Sequence, residues 1–121
     1  MGSRRRAFLF GYSAETRAAM WLRLKGYKIL ARRYKTPFGE IDIIAIRLGT
    51  LCFTEVKARH TLEEARWAVV AHQQRRIANA ARIWLQNFDK PAYHTKRFDV
   101  ILIAPRARPH HIENAFMADT L

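Results

Sequence analysis

Cysteine and acidic residues are scarce in this 121-residue chain. The first shortage excludes disulfide bonds within the chain, and the second excludes a balanced surface charge. Cys52 is the single cysteine, so no intrachain disulfide can form and the thiol is expected to be a small buried apolar group. Asp and Glu number 10 against 22 Lys and Arg, which leaves a formal net charge of +12. So large a charge on a small domain favours a polyanionic partner, most commonly nucleic acid. Composition leaves two alternatives open, an anionic membrane surface and a merely basic exterior.

Long apolar runs are also absent, and with them any candidate transmembrane helix. The start of the chain, MGSRRRAFLFGYSA, has the basic residues of a secretion signal, but its apolar stretch of about four residues is shorter than the roughly seven such a signal needs. We therefore expect residues 1–12 to form a basic N-terminal arm of a single domain spanning residues 1–121. The expected protein is soluble and cytoplasmic, with no membrane contact. The chain has no Gly-rich phosphate loop, and no small-molecule cofactor is expected.

Hydrophobic periodicity predicts one helix, three strands, a long helical stretch and a last strand, in that order. Ser13 is the expected N-cap of the first helix, and Gly26 suits the left-handed position beyond its C-terminus. Thr61 and Glu64 match a capping box that opens the long helical stretch. Strands that are apolar on both sides need cover on both faces, so we predict an α/β fold with a small mixed β-sheet between helices. The predicted elements are a helix at 13–25, strands at 27–34, 39–47 and 51–59, helical sequence at 61–88 and a strand at 98–104, with the C-terminal tail 105–121 unassigned.

The register between the second and third strands follows from their close spacing. A two-residue loop at positions 48–49 pairs Arg47 with Thr50, and counting back from there places Asp42 opposite Glu55. A three-residue loop would turn Asp42 and Glu55 to opposite faces. Only the first register brings apolar residues opposite apolar residues on both faces, so it is the register we predict.

Two carboxylates directly across from each other are destabilising unless a positive charge lies between them. Mg²⁺, or Mn²⁺ in its place, takes oxygen ligands and keeps several waters, so the carboxylates of Asp42 and Glu55 plus a carbonyl or two would suffice as ligands. Lys57 follows Glu55 by two residues and shares its face, where its ammonium group would reach a scissile phosphate. These residue types predict metal-dependent phosphodiester hydrolysis. The alternative is an exposed patch in which Glu40 and these residues form weak cross-strand ion pairs.

The residues of this site resemble a known pattern. Asp42 followed by Glu55-Val56-Lys57 resembles the Asp…Glu-x-Lys core of the restriction-endonuclease-like superfamily, PD-(D/E)xK. Glu15, in the preceding helix, is similar to the acidic residue of the members that resolve Holliday junctions. The resemblance implies a restriction-endonuclease-like fold with Glu15, Asp42, Glu55 and Lys57 as catalytic residues.

A closer resemblance covers residues 11–103. GYSAETRAAMWLRLKGYKIL, TPFGEIDIIA, FTEVKAR and RFDVILI, in this order, resemble the YraN-like family of uncharacterised bacterial proteins. GEID followed by EVK-x-R is the more specific part of this pattern. The family resembles nucleases without an assigned substrate, so the likeness implies a site but no established reaction. The chain departs from the pattern at Gln73, where lysine is expected, and at Arg33, where asparagine is usual.

Basic residues flank the predicted site in the sequence. Their position on both sides of the acidic pair favours contacts with phosphate groups over a merely solvated basic rim. The residues predicted to bind nucleic acid in this way are Arg32, Arg33, Lys35 and Arg59.

The combined prediction is a Mg²⁺-dependent endonuclease that acts on DNA, with branched or otherwise structured DNA as the favoured substrate. Because related junction-cutting enzymes work as symmetric pairs on two-fold substrates, we also expect a homodimer. The alternative is a non-catalytic nucleic-acid-binding accessory protein in DNA repair, recombination or uptake. A role with RNA or the ribosome remains open on charge alone.

Overall fold

One five-stranded sheet, flanked by helices, forms the protein. The structure is a computed structural model, which describes the backbone of residues 3–66 and 71–117 and the side chains of residues 13–65 and 73–117. The strands lie in chain order across the sheet; the first three are antiparallel, the fourth is parallel to the third, and the fifth is antiparallel to the fourth. The elements are α1 (Ser3–Leu24), β1 (Lys28–Thr36), β2 (Gly39–Arg47), β3 (Thr50–Ala58), α2 (Leu62–Arg66), α3 (Ala71–Phe88), β4 (Thr95–Ile103) and β5 (His110–Phe116).

Helices cover both faces of the sheet because the side chains of the central strands alternate between two cores. On one face Ile43, Ala45 and Cys52 pack with α1. On the other face Ile44 and Phe53 pack against α3. The predicted α/β fold, a small mixed sheet between helices, is therefore confirmed. Within the described residues, no helix is long and apolar enough to cross a membrane.

The first helix is longer than predicted. It begins at Ser3, so the expected N-cap at Ser13 lies inside the helix and most of the expected N-terminal arm is helical. Arg, Ala and Leu in this segment are good helix formers, and no proline interrupts them. The C-terminus is as predicted: Gly26 has φ +91°, and the N–H of Tyr27 donates to the carbonyl of Leu22 at 3.0 Å. This is a Schellman ending, which only a residue tolerant of positive φ accommodates without strain.

The segment after β3 begins a helix at the predicted place. The N–H of Glu64 donates to Thr61 Oγ1 at 3.1 Å, which makes Thr61 the cap of α2. Within the predicted helical stretch 61–88, the described residues form two helices, α2 and α3. Residues 67–70, between them, lie outside the described residues.

The C-terminal tail, which the sequence left unassigned, contains an edge strand. Its pairing with β4 runs from Leu102 opposite His110 to Phe98 opposite Phe116, with a shift in register between them. The rings of Phe98 and Phe116 stack with centroids 4.9 Å apart, which ties the end of the tail to the sheet. HHIENAF has no clear alternation of apolar and polar residues, so its strand was not predicted.

Candidate active site

The candidate site lies where β2 and β3 separate. Their ladder has the predicted register from Arg47 opposite Thr50 to Ile43 opposite Thr54, and the ladder ends there. The prediction that Asp42 and Glu55 form a ladder pair is therefore wrong. Instead, Asp42 Oδ2 accepts the backbone N–H of Val56 at 2.8 Å, in place of a carbonyl from the neighbouring strand. This hydrogen bond places the carboxylate of Asp42 in the opening between the two strands.

Strand β2 changes face at Asp42. Ile41 packs in the core beneath α3 and Ile43 packs in the core beneath α1, although residues two apart in a regular strand share a face. The adjacent strand β1 is irregular at the same level, since Arg33 has φ 53° and the following Tyr34, opposite Ile41, packs on the α3 side. Because the strand changes face at Asp42, this side chain belongs to neither face of the sheet and enters the opening instead.

Glu55 meets Asp42 in this opening, with their carboxyl groups in hydrogen-bond contact. Burial and, after it, the hydrogen bond and charge of Asp42 together raise the pKa of Glu55 to about 9, against a smaller lowering by the nearby Lys57. Val56 and Ala58 pack towards the α1 core, so Glu55 and Lys57 point to the opposite side of β3. The structure thus brings together three of the four predicted catalytic residues, Asp42, Glu55 and Lys57.

The donor set of the site fits a hard divalent cation. Two carboxyl groups that cannot both ionise alone need either a shared proton or a cation between them. Among the described residues, no group of three or more His, Cys, Asp or Glu is placed to hold a metal ion. Asp42 and Glu55 would therefore be the protein ligands, with water or substrate oxygens completing the shell, as Mg²⁺ favours.

Glu15, the fourth predicted catalytic residue, is held by two arginines of β1. It lies on α1, is 7% exposed, and accepts hydrogen bonds from Arg32 Nε at 3.2 Å and Arg33 Nε at 3.1 Å. Both arginines are on β1, and neither belongs to the carboxyl pair of Asp42 and Glu55. The structure therefore gives Glu15 a structural contact between α1 and β1, and its catalytic role stays a prediction.

The predicted phosphate-binding residues surround the same end of the sheet. Arg32 and Arg33 share one carboxylate, so this cluster keeps a net positive charge. Lys35 is exposed on β1 opposite Glu40, and Arg59 is exposed just beyond the end of β3, donating to the carbonyl of Ala58 at 2.6 Å. These positions form a basic rim beside the opening, and its contact with nucleic acid stays a prediction.

Sequence reasoning missed two buried polar groups. The hydroxyl of Thr54, which directly precedes Glu55, is fully buried, and no hydrogen-bond partner for it is found in the described part of the chain. The amide oxygen of Gln73, in the first turn of α3, is likewise buried with no partner among the described residues. Gln73 was noted only as a departure from a family pattern, and Thr54 reads as an ordinary strand residue. No signal in the sequence marks either of them.

Fold and site together define a small α/β protein with a half-buried carboxyl pair and a lysine where two strands of a mixed sheet separate. The chain belongs to the uncharacterised protein family UPF0102, whose profile matches residues 14–103. UPF0102 proteins of Rhodopseudomonas palustris (strain BisA53) and Nitrobacter winogradskyi are each 54% identical to it over 114 residues. These alignments cover 94% of this chain, and 88% and 97% of the two relatives. A UPF0102 protein of Bradyrhizobium diazoefficiens is 53% identical over 94% of this chain and 86% of its own length. Membership of an uncharacterised bacterial family is thus confirmed, and the link to nucleases stays a prediction.

Proposed function

We propose that this protein is a Mg²⁺-dependent endonuclease that hydrolyses phosphodiester bonds in DNA, with branched or structured DNA as its substrate. The observation that carries the proposal is the contact between the carboxyl groups of Asp42 and Glu55 in the strand opening, with Lys57 on the face of Glu55. The net charge of +12 supports a polyanionic substrate.

Each residue of the site has a distinct task in this reaction. Asp42 is oriented by the N–H of Val56, which its Oδ2 accepts, and its carboxyl group contacts that of Glu55. Asp42 and Glu55 would hold the cation, whose chemistry is Lewis-acid polarisation of the phosphodiester. Lys57 would donate hydrogen bonds to a phosphate oxygen and offset the negative charge that develops there. The basic rim would hold the flanking phosphates and fix the register of the strand.

A cleavage screen tests the proposal. Single-stranded, duplex, flap and four-way-junction DNA are incubated with the protein and Mg²⁺ or Mn²⁺. We expect cleavage of at least one substrate, and a loss of roughly 100-fold or more in Lys57→Ala, Glu55→Gln and Asp42→Asn. Matched controls are Lys90→Ala and Asp89→Asn, which should cleave like the wild type. Both residues are exposed and precede β4, whose first residue lies opposite Thr50, at the end of β3 far from Glu55 and Lys57. A wild type inert on all four substrates, or a Lys57→Ala variant with full activity, contradicts the proposal.

Cation binding has a readout that does not require cleavage. A ligand that binds only the folded state stabilises it, so Mn²⁺ or Mg²⁺ should raise the Tm of the wild type and EDTA should reverse the shift. Glu55→Gln should lose that response. At pH 7 the same variant should unfold at a higher temperature than the wild type in EDTA, because the amide is neutral without the proton that Glu55, with its pKa raised to about 9, must take up on folding. A cation-induced shift of equal size in both proteins would show that the ion binds elsewhere.

A non-catalytic nucleic-acid-binding protein of DNA repair or recombination is the second candidate. One observation favours it: a single shared proton satisfies the carboxyl pair, so the fold does not require a cation. That candidate binds DNA equally well in EDTA and in Mg²⁺, and Lys57→Ala leaves its affinity unchanged.

The homodimer belongs to the proposal because four-way DNA has two-fold symmetry, which two copies of one chain would match. Sedimentation of the protein with and without junction DNA checks it. A single copy on each junction would contradict it.

A further inference from the structure

An exposed aromatic ring lies at the same end of the sheet as the carboxyl pair, and the proposed function does not use it. Phe38 connects β1 to β2, and its side chain is 64% exposed. It precedes Asp42 by four residues, which along an extended strand is about 14 Å. Because β2 and β3 are antiparallel, the start of β2 is level with the end of β3, where Glu55 and Lys57 lie.

The turn that carries Phe38 is rigidly held. Thr36 Oγ1 donates to the carbonyl of Gly39 at 2.7 Å and accepts the N–H groups of Phe38 and Gly39 at 3.2 and 3.0 Å. Gly39 presses on α3 so closely that a Cβ there would overlap the backbone carbonyl of Arg76. The ring of Phe38 is therefore presented to solvent by a turn whose backbone is fixed from both sides, which lowers the entropy lost when a ligand orders it.

A groove runs between this ring and α3. It has a volume of about 320 Å³ and is lined by two apolar residues, Phe38 and Ile83, and three polar ones, Asn79, Arg82 and Gln86. Asn79 Nδ2 donates to the carbonyl of Phe38 at 3.4 Å, and Arg82 donates to Asn79 Oδ1. These bonds couple the turn to the helix. The volume is at the lower end for small-molecule pockets, which suits one flat ring rather than a larger ligand.

We infer that this groove, the Phe38 groove, binds one unpaired base of a single-stranded segment of nucleic acid by stacking it on Phe38. Three features together select this occupant. A flat apolar ring matches a base, amide and guanidinium groups match its polar edge, and a net charge of +12 attracts the phosphate chain to which the base belongs. An exposed ring and an adjacent guanidinium are the combination by which proteins hold single strands without reading their sequence.

The position of the Phe38 groove gives the stacked base a role in the proposed reaction. This step rests on the proposed function, whereas the stacking itself does not. Four residues of extended strand, the separation of Phe38 and Asp42 in the chain, span about 14 Å, which is about the rise of four stacked nucleotides at roughly 3.4 Å each. A base held on Phe38 would thus fix an unpaired strand a few nucleotides from the bond at the carboxyl pair. Substrates with an unpaired base near a branch would be favoured over continuous duplex.

Binding in EDTA tests the inference without any cleavage. A fluorescein-labelled oligothymidine of about 20 nucleotides is titrated with the full chain at low salt, and anisotropy gives the Kd. We expect Phe38→Ala to weaken binding roughly 5- to 150-fold, the range for loss of one base–aromatic stack, and Phe38→Trp to restore it. The matched control is Phe88→Ala, because Phe88 is a half-exposed ring at the far end of α3. Phe88→Ala should bind like the wild type, and thermal unfolding of each variant checks its fold.

An abasic strand of the same length separates stacking from phosphate contacts. Wild type and Phe38→Ala should bind the abasic strand equally, because there is no base to stack. Equal affinity of the two proteins for oligothymidine overturns the inference, as does a Phe38→Ala defect that persists on the abasic strand. If Phe38→Ala instead abolishes self-association and leaves oligothymidine binding intact, the ring contacts a second copy and the inference is wrong.

The outcomes for the two proposals differ. Cleavage that depends on Lys57, with oligothymidine binding indifferent to Phe38, removes the stacking site and keeps the nuclease. Binding that depends on Phe38, with no cleavage of any DNA, removes the nuclease and keeps the stacking site.

Discussion

At the scale of single residues, the most strongly held charge described in this protein is Asp99, outside the candidate site. Asp99 is fully buried and accepts hydrogen bonds from Arg97 Nε at 2.8 Å, from the N–H of Asn114 at 3.0 Å and from His111 Nε2 at 2.7 Å. Lys25 Nζ lies 2.7 Å from His111 Nδ1, and an ammonium group can only donate. The Nδ1 atom therefore accepts, and the proton that His111 shares with Asp99 is on Nε2. This cluster joins α1, β4 and β5.

The Asp99 cluster predicts a defined loss of stability in acid. Burial opposes ionisation, but the bonds from His111, Arg97 and Asn114 outweigh it and hold the pKa of Asp99 at about 2, below its ordinary value of 3.8. Because the pKa of Asp99 is lower in the folded than in the unfolded state, its ionised form stabilises the folded protein above pH 4. This contribution to the free energy of unfolding, about 2 kcal/mol, is lost as the pH falls from 4 to 2.

Asp99→Asn should therefore lower the free energy of unfolding at pH 7 by about 3 kcal/mol, because it leaves Arg97 and His111 with a neutral partner. Urea unfolding at pH 7 and pH 3 measures this loss, which should be smaller at pH 3. The control is Asp89→Asn, since Asp89 is exposed and pairs with Lys96 at 3.7 Å; it should change stability by less than about 1 kcal/mol. An equal loss for Asp99→Asn at both pH values would contradict the assignment.

At the scale of elements, the contact between the β1–β2 turn and α3 positions both proposed sites. Gly39 begins β2, and its lack of a side chain lets the turn rest on the backbone of Arg76. Phe38 directly precedes Gly39, and Asp42 follows it by three residues. The two glycines Gly39 and Gly26 are needed for different reasons, because Gly26 has positive φ and open space around it.

Gly39→Ala should destabilise the protein by about 1 to 3 kcal/mol, as expected for overpacking, and should also weaken oligothymidine binding and DNA cleavage, because the turn must move. Gly26→Ala is the matched control: it should cost about 1 kcal/mol through its left-handed backbone and leave binding and cleavage per folded molecule unchanged. Chemical unfolding together with anisotropy measures both effects. Normal binding by a destabilised Gly39→Ala would show that the turn does not position the Phe38 groove.

At the scale of the whole molecule, the net charge is +12, and the basic rim lies beside the opening of the sheet. The rim consists of Arg32, Arg33, Lys35 and Arg59, of which the first two contact Glu15. The net charge and the rim together predict an affinity for nucleic acid that depends steeply on salt.

With about four phosphate contacts, log K against log[salt] for duplex DNA should have a slope near −3.6, and Lys35→Ala or Arg59→Ala should each reduce its magnitude by about 0.9. Lys28→Ala is the control, because Lys28 is exposed at the opposite end of β1, across from Ile46. Titrations at several salt concentrations measure the slope. A larger effect for Lys28→Ala than for the rim variants would place the DNA on another face.

Much of the fold and part of the site could be predicted because they depend on local pattern. Alternation of apolar residues assigned Ile43 and Ile44 to opposite faces, and a two-residue loop set the β2–β3 register, both as observed. The same local reasoning extended that ladder too far, to Asp42 and Glu55. The ladder ends earlier because β2 changes face at Asp42. That change depends on packing against two helices and on the irregular neighbouring strand β1, which local pattern does not show. Local pattern also did not predict β5, because this strand forms by pairing with the edge of β4.

By itself, the sequence determined the order of the elements from α1 to β4, the two faces of the sheet and the closeness of Asp42, Glu55 and Lys57, since strand period and loop length act over a few residues. Only the tertiary structure decided that Glu15 pairs with Arg32 and Arg33, that Asp99 joins His111 and Lys25, and that the turn bearing Phe38 rests on α3. These contacts join residues far apart in the chain. Their partners are selected by packing and by the need to satisfy buried charges, which no local pattern records.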